Sequence, residues 1–219
     1  LSLTLDGDRA VAEPRDLRPG DIILTLGTGL AAAGIQLMTL APVSHAALYI
    51  GDGQVVEAVH SGVRVRGLQD LLAKEVTVLA FRYSELSDRQ AGEIRAYALR
   101  QVGVPFNFMG VVLHVPLSIQ RMACELPLTP SGARDVCIRT FGGIQYLNPG
   151  RQQFFCSQLV LQAYRHAGAP IIEVDPRIVS PADILHMRDG DVSSFRVHKR
   201  LTYVGLLKRT PPVTAASEY

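Results

Sequence analysis

Charge is scarce in this 219-residue chain, with Asp, Glu, Lys and Arg together only 19% of it, against roughly 25% in an ordinary soluble domain. Low charge beside 47% hydrophobic residues excludes intrinsic disorder, which requires the opposite balance. The 22 Lys and Arg are nearly matched by 20 Asp and Glu, for a net charge of +2, and no dense basic block occurs. No nucleic-acid partner is expected. There is no run of 18 apolar residues, hence no candidate transmembrane helix. Residues 1–25 lack the basic, apolar and small-residue succession of a signal peptide. The chain starts at Leu1 rather than Met, as expected of a processed product or a domain of a longer protein. Cysteine is scarce too, three in all. An odd count in a chain this long argues against a disulfide scaffold and leaves at least one thiol unpaired. Cys124 and Cys137, even with His114, show neither C-x-x-C nor H-x-x-H spacing, so no metal site and no cofactor are expected. Gly27-Thr28-Gly29 lacks the third glycine and the lysine of a phosphate loop and reads as a turn.

What is present suits one α+β domain over 1–208, with a variable insertion at about 104–152 and a tail or linker at 209–219. Residues 16–25 pass from a Pro19-Gly20 turn into a short strand. Two apolar runs flank Gly51-Asp52-Gly53, a strong hairpin signal. GVRVRGL and TVLAFRY supply a third and fourth strand, giving a small antiparallel sheet. Ser87 and Gln90 form a capping box for a helix with Ala91, Ile94, Ala98 and Val102 on one face and Gly103 as its stop. Leu159, Val160, Ala163, Tyr164 and Ala167 form a helical stripe closed by Gly168, with Cys156 at its start. Ser180-Pro181 opens a further short helix, and FRVHKRLTYVGLLKR supplies a further strand.

A thiol in the first turn of a helix faces unpaired N–H groups and the positive end of the dipole, both of which favour its thiolate. The same N–H groups, those of Cys156 and Ser157, can hold an oxyanion. The bland alternative is a small buried hydrophobe filling the stripe. His45 opens a strand among small and apolar residues, as either a hydrogen-bonded core group or a base. If the hairpin loop has three residues, Ile50 pairs with Gln54 and His45 with Val59, and Glu57 becomes the diagonal same-face neighbour of His45. A two-residue Asp52-Gly53 turn instead pairs His45 with His60 and sends Glu57 to the other face. The residues leave both registers open. A nucleophile, a base and an orienter would together make a cysteine-dependent acyl-transfer site.

The runs LRPGDIILT, SHAALYIGDGQVVEAV, QVGVPFNF and FFCSQLVLQAY resemble the circularly permuted branch of the NlpC-type papain-like cysteine peptidases and amidases, the YaeF/YiiX-like group. In that branch the histidine precedes the cysteine, as it does here. The resemblance covers about 17–60, 90–108 and 150–185 and implies a permuted papain-like fold, with a small antiparallel sheet packed on the helix that carries the nucleophile. It implies Cys156 as nucleophile, His45 as general base and acid, and Glu57 as the third, polar residue. The twelve-residue gap from His45 to Glu57 also occurs in the related lecithin retinol acyltransferase group, which favours Glu57 over His60 and the three-residue loop. Many relatives carry Tyr where this chain has Phe106, so the role of that hydroxyl is absent and a second oxyanion donor is open. Gln152 and Gln153 lie close enough to Cys156 in sequence to be considered for it, although two glutamines in a loop are more often simply solvated.

The implied activity is hydrolysis of an amide bond, with a bacterial cell-wall peptide as the expected substrate. The chain would then be a module of a longer secreted, periplasmic or injected bacterial protein, such as an effector or toxin with an immunity or delivery partner. Two rivals keep the fold. A lipid acyltransferase, thioesterase or phospholipase-like enzyme would use the same site on a lipid-linked acyl group, motivated by the apolar stretch 108–119, which could touch a membrane surface. A binding module would not use the site at all, a reading that the joint presence of Cys156, His45 and Glu57 disfavours.

Overall fold

A computed structural model describes residues 11–26, 45–106, 154–187 and 197–209. Among these, strands β1 (Ile22–Leu26), β2 (His45–Gly51), β3 (Gln54–Val59), β4 (Gly62–Gly67), β5 (Thr77–Arg82) and β6 (Thr202–Arg209) form one antiparallel sheet in the order β4-β3-β2-β1-β5-β6. The sheet expected of the first half therefore gains a C-terminal edge strand, which reaches one residue into the segment assigned to the tail. Helix α1 (Leu68–Lys74) joins β4 to β5 and was not expected from the sequence. Helices α2 (Asp88–Arg100), α3 (Cys156–His166) and α4 (Pro181–His186) follow. The fold is α+β, with the sheet packed against the helix that begins at Cys156.

The central strands read as near-continuous apolar runs because both faces of the sheet are covered. On one face Ile22, Leu24, Ala46, Leu48, Val56 and Phe81 meet Ile94 and Ala98 of α2 and Leu159, Val160, Ala163 and Tyr164 of α3. On the other, Ile23, Ala47, Tyr49, Val55, Val78 and Ala80 lie under Leu17 and the α1 residues Leu68 and Leu71. Helix α3 packs on β2, β3 and α2. Its start is pinned by Ser157, fully buried, whose Oγ donates to Val179 O at 2.6 Å.

The Ser87–Gln90 and Ser180–Asp183 capping boxes are both formed. Helix α2 ends at Arg100, however, and Val102 is exposed rather than on the buried face. The chain leaves the helix there because Gly103 N donates to Val63 O at 2.8 Å and Val63 N to Val104 O at 2.9 Å. These bonds occupy part of an otherwise open edge at β4. Gly62 sits beneath that crossing with φ +108, where a Cβ would lie 2.9 Å from Val104 O.

The hairpin joins parts of the two registers the sequence allowed. Its turn is the two-residue one, Asp52 (φ 54) and Gly53 (φ 66) with Gly51 paired to Gln54. Both central residues have the positive φ of the tight turns that suit twisted strands. An irregularity between Tyr49 and Gly51 then shifts the ladder by one residue, so that Tyr49 pairs with Val55 and Ala47 with Glu57. A bulge adds one residue to one strand and restores the register of a three-residue loop. Glu57 therefore lies on the same face as Ala47 and as His45.

Candidate active site

Alternation along β2 and β3 places Glu57 on the face covered by α1, while α3 lies on the opposite face. His45 is the first residue of β2. From the strand end its imidazole reaches Glu57 on one side and the start of α3 on the other. His45 Nε2 lies 2.9 Å from Glu57 Oε2. A carboxylate only accepts, so Nε2 carries the proton of that bond and Nδ1 is left for the thiol.

Glu57 is fully buried and takes two further hydrogen bonds on its other oxygen. Arg64 Nε and Nη2 donate to Oε1 at 2.9 and 2.7 Å. Arg66 Nη1 stands 3.6 Å from the same atom. Burial alone would raise the pKa of Glu57, but His45 and Arg64 hold it down at about 2.

Cys156 is the first residue of α3, half-buried, and carries a free thiol. Its N-cap, Phe155, is extended and has no side-chain capping bond, so no side-chain cap takes up the first N–H groups of the helix. Burial pushes the thiol up, but the hydrogen bond and charge of His45, with the N–H groups of Ala46 and Ser157, bring it below its ordinary value. For His45, burial opposes the charge and the bonds to Cys156 and Glu57 favour it, raising the imidazole to about 10. Both shifts favour a thiolate–imidazolium pair backed by a carboxylate, the kind of arrangement suited to nucleophilic attack followed by proton delivery.

The three expected side chains thus come together, and the N–H groups of Cys156 and Ser157 lie in the first turn of α3. Phe106 bridges to Phe154, with Phe154 N donating to Pro105 O at 3.3 Å. The position at which relatives carry Tyr is therefore beside the segment leading to Cys156. Gln152, Gln153, Cys124, Cys137, His114, Gly27-Thr28-Gly29 and the apolar stretch 108–119 lie outside the described residues. Arg64 was missed by the sequence reading. Its signal was available, since a His60-Ser61 turn pairs Val59 with Gly62 and places Arg64 directly across from Glu57.

Comparison with known proteins agrees with this architecture. The sequence model of a family described as permuted papain-like amidase enzymes, YaeF/YiiX, matches residues 16–112. The probable lipoprotein peptidase YaeF of Escherichia coli (strain K12) is 32% identical over 210 residues, spanning 94% of this chain and 76% of YaeF. The crystal structure of the metalloprotein YiiX from Escherichia coli O157:H7 aligns with a TM-score of 0.51 at 18% identity, over 90% of this chain and 99% of that one. That neighbour is described as a metalloprotein. Among the described residues of this chain, no cluster of three or more His, Cys, Asp or Glu could hold a metal ion. Glu57, the carboxylate nearest the thiol's partner, is already bonded through both oxygens.

Proposed function

The chain belongs to the permuted papain-like amidase family, and from that premise we propose that it hydrolyses an amide bond in a peptide, a bacterial cell-wall peptide foremost, through Cys156, His45 and Glu57. The observation that carries this reading is the 2.9 Å bond from His45 to buried Glu57, made by an imidazole that also partners the thiol at the start of α3. The Cys156 thiolate attacks the carbonyl carbon, and the developing oxyanion is received by the helix-start N–H groups of Cys156 and Ser157. The His45 imidazolium then protonates the leaving amine as the C–N bond breaks, leaving a thioester on Cys156. Neutral His45 next takes a proton from water, whose oxygen attacks the thioester. The acid is released, the sulfur leaves as thiolate, and the imidazolium is restored. Glu57 holds the ring in the required tautomer throughout.

The name of the curated relative, a peptidase, supports a peptide amide over a lipid ester. Incubation with muropeptides and, separately, with phospholipid vesicles tests the choice. New primary amines from muropeptides, lost in Cys156→Ala, are the expected result. Free fatty acid or lysolipid from the vesicles, with no amine release from the peptides, would replace the amide reading with a lipid acyl one. If Cys156 reacts with iodoacetamide no faster near neutral pH than a free thiol, and Cys156→Ala keeps full activity, the reading of Cys156 as nucleophile fails.

A further inference from the structure

Resting on the Cys156–His45–Glu57 reading, we infer that Arg64 is a positioning residue for that site, fixing the Glu57 carboxylate so that one oxygen is aimed at His45. Arg64 lies on the edge strand β4, directly opposite Glu57 in the ladder. Its Nε and Nη2 both donate to Oε1, while Oε2 is left to the imidazole. The terminal torsion of a Glu side chain is broad and roughly two-fold, so burial of the stem does not by itself orient the two oxygens. Two donors from a rigid guanidinium plane on one oxygen supply that orientation. The arginine acts only through Glu57.

The placement is built into the strand pairing. The two-residue His60-Ser61 turn sets Val59 against Gly62, and the bonds from Gly103 and to Val104 hold β4 at Val63, the residue before Arg64. Charges then alternate along the line from α3 to the sheet edge, from the Cys156 thiolate through the His45 imidazolium and Glu57 carboxylate to the Arg64 guanidinium. Among the described residues, the other charged groups facing Glu57 are Arg66, 3.6 Å from Oε1, and behind it Glu75, 3.9 Å from Arg66. Arg66 also gives Nη2 to the Asp70 carbonyl, so it is anchored to α1 and does not share the Arg64 geometry.

The sign of one measurement separates positioning from charge. Removing a nearby cation by charge alone raises the pKa of an imidazolium. Releasing the carboxylate that holds the imidazolium lowers it. The experiment is a ¹⁵N NMR titration of the histidine ring nitrogens in the full chain and in Arg64→Ala and Arg64→Lys. The expected result is that the His45 midpoint falls in Arg64→Ala by about one to two pH units, the size of a hydrogen bond to a charged group. It remains depressed in Arg64→Lys, which keeps the charge but not the planar fork. A midpoint in Arg64→Ala that stays or rises overturns the inference. So does an Arg64→Lys protein that titrates like the unaltered chain. The catalytic reading fails on a different result, an unaltered Cys156 that is no more reactive than a free thiol, whatever the Arg64 variants show.

Discussion

Replacing Glu57 with Gln isolates the free energy that one buried carboxylate contributes between neutral and acid pH. The side chain is wholly buried, with both oxygens bonded, and its pKa is lowered from 4.5 to about 2 by His45 and Arg64 against the opposing effect of burial. A folded-state value below the unfolded one gives stability that is complete above pH 4.5 and disappears as the pH falls through 2. The gap corresponds to about 3 kcal/mol. Of this, about 2 kcal/mol is lost between pH 5.5 and pH 3, from the two titration curves. The Gln variant has no group to titrate there. Urea unfolding of both proteins at pH 5.5 and pH 3 therefore shows the unaltered chain losing about 2 kcal/mol more than the variant over that interval. Other carboxylates contribute equally to both proteins and cancel in the difference. Equal losses in the two proteins would refute the claim that Glu57 is an ionised, paired group in the folded state.

Two further outcomes follow from the same geometry. Alkylation of Cys156 by iodoacetamide rises as the pH passes the lowered pKa of the thiol and stays high above pH 10, whereas amide hydrolysis falls as His45 loses its proton near pH 10; parallel profiles for the two reactions would show that His45 is not the acid. Leu159, fully buried in α3 between the sheet and α2, is expected on truncation to Ala to cost about 2–5 kcal/mol in urea unfolding, and a loss below about 1 kcal/mol would mean that α3 is not packed on the sheet as described.

Position within an element was legible from sequence, and partnership across elements only in part. Cys156 at a helix start and His45 at a strand start follow from local periodicity and capping, because each depends on a window of about ten residues. The register that makes Glu57 a partner depends instead on an irregularity at Ile50. Asp52-Gly53 does form the tight turn its composition favours, and that turn alone would have sent Glu57 to the opposite face. A bulge carries no dependable residue signature, so the choice was open until the strands were paired. The end of α2 was misjudged for a related reason. Val102 continues the helical stripe in sequence, but Gly103 and Val104 are drawn to the β4 edge, and tertiary hydrogen bonds override the local pattern.

Arg64 was missed through a rule that does not apply to this sheet. In a strand that alternates apolar and charged residues, the charged set is normally assigned to solvent. That assignment assumes one wet face. Here the second face is covered by Leu17, Leu68 and Leu71, and it contains Glu57 with no exposure at all. A buried carboxylate on a covered face requires cationic partners, since an unpaired one would take up a proton. His45 supplies one, by way of Oε2. The second must come from the neighbouring strand at the position opposite Glu57, which a two-residue His60-Ser61 turn fixes as residue 64. The charged alternation of β4 therefore marks the outer end of the candidate site rather than a solvated face, with Arg64 at that end and Cys156 at the other.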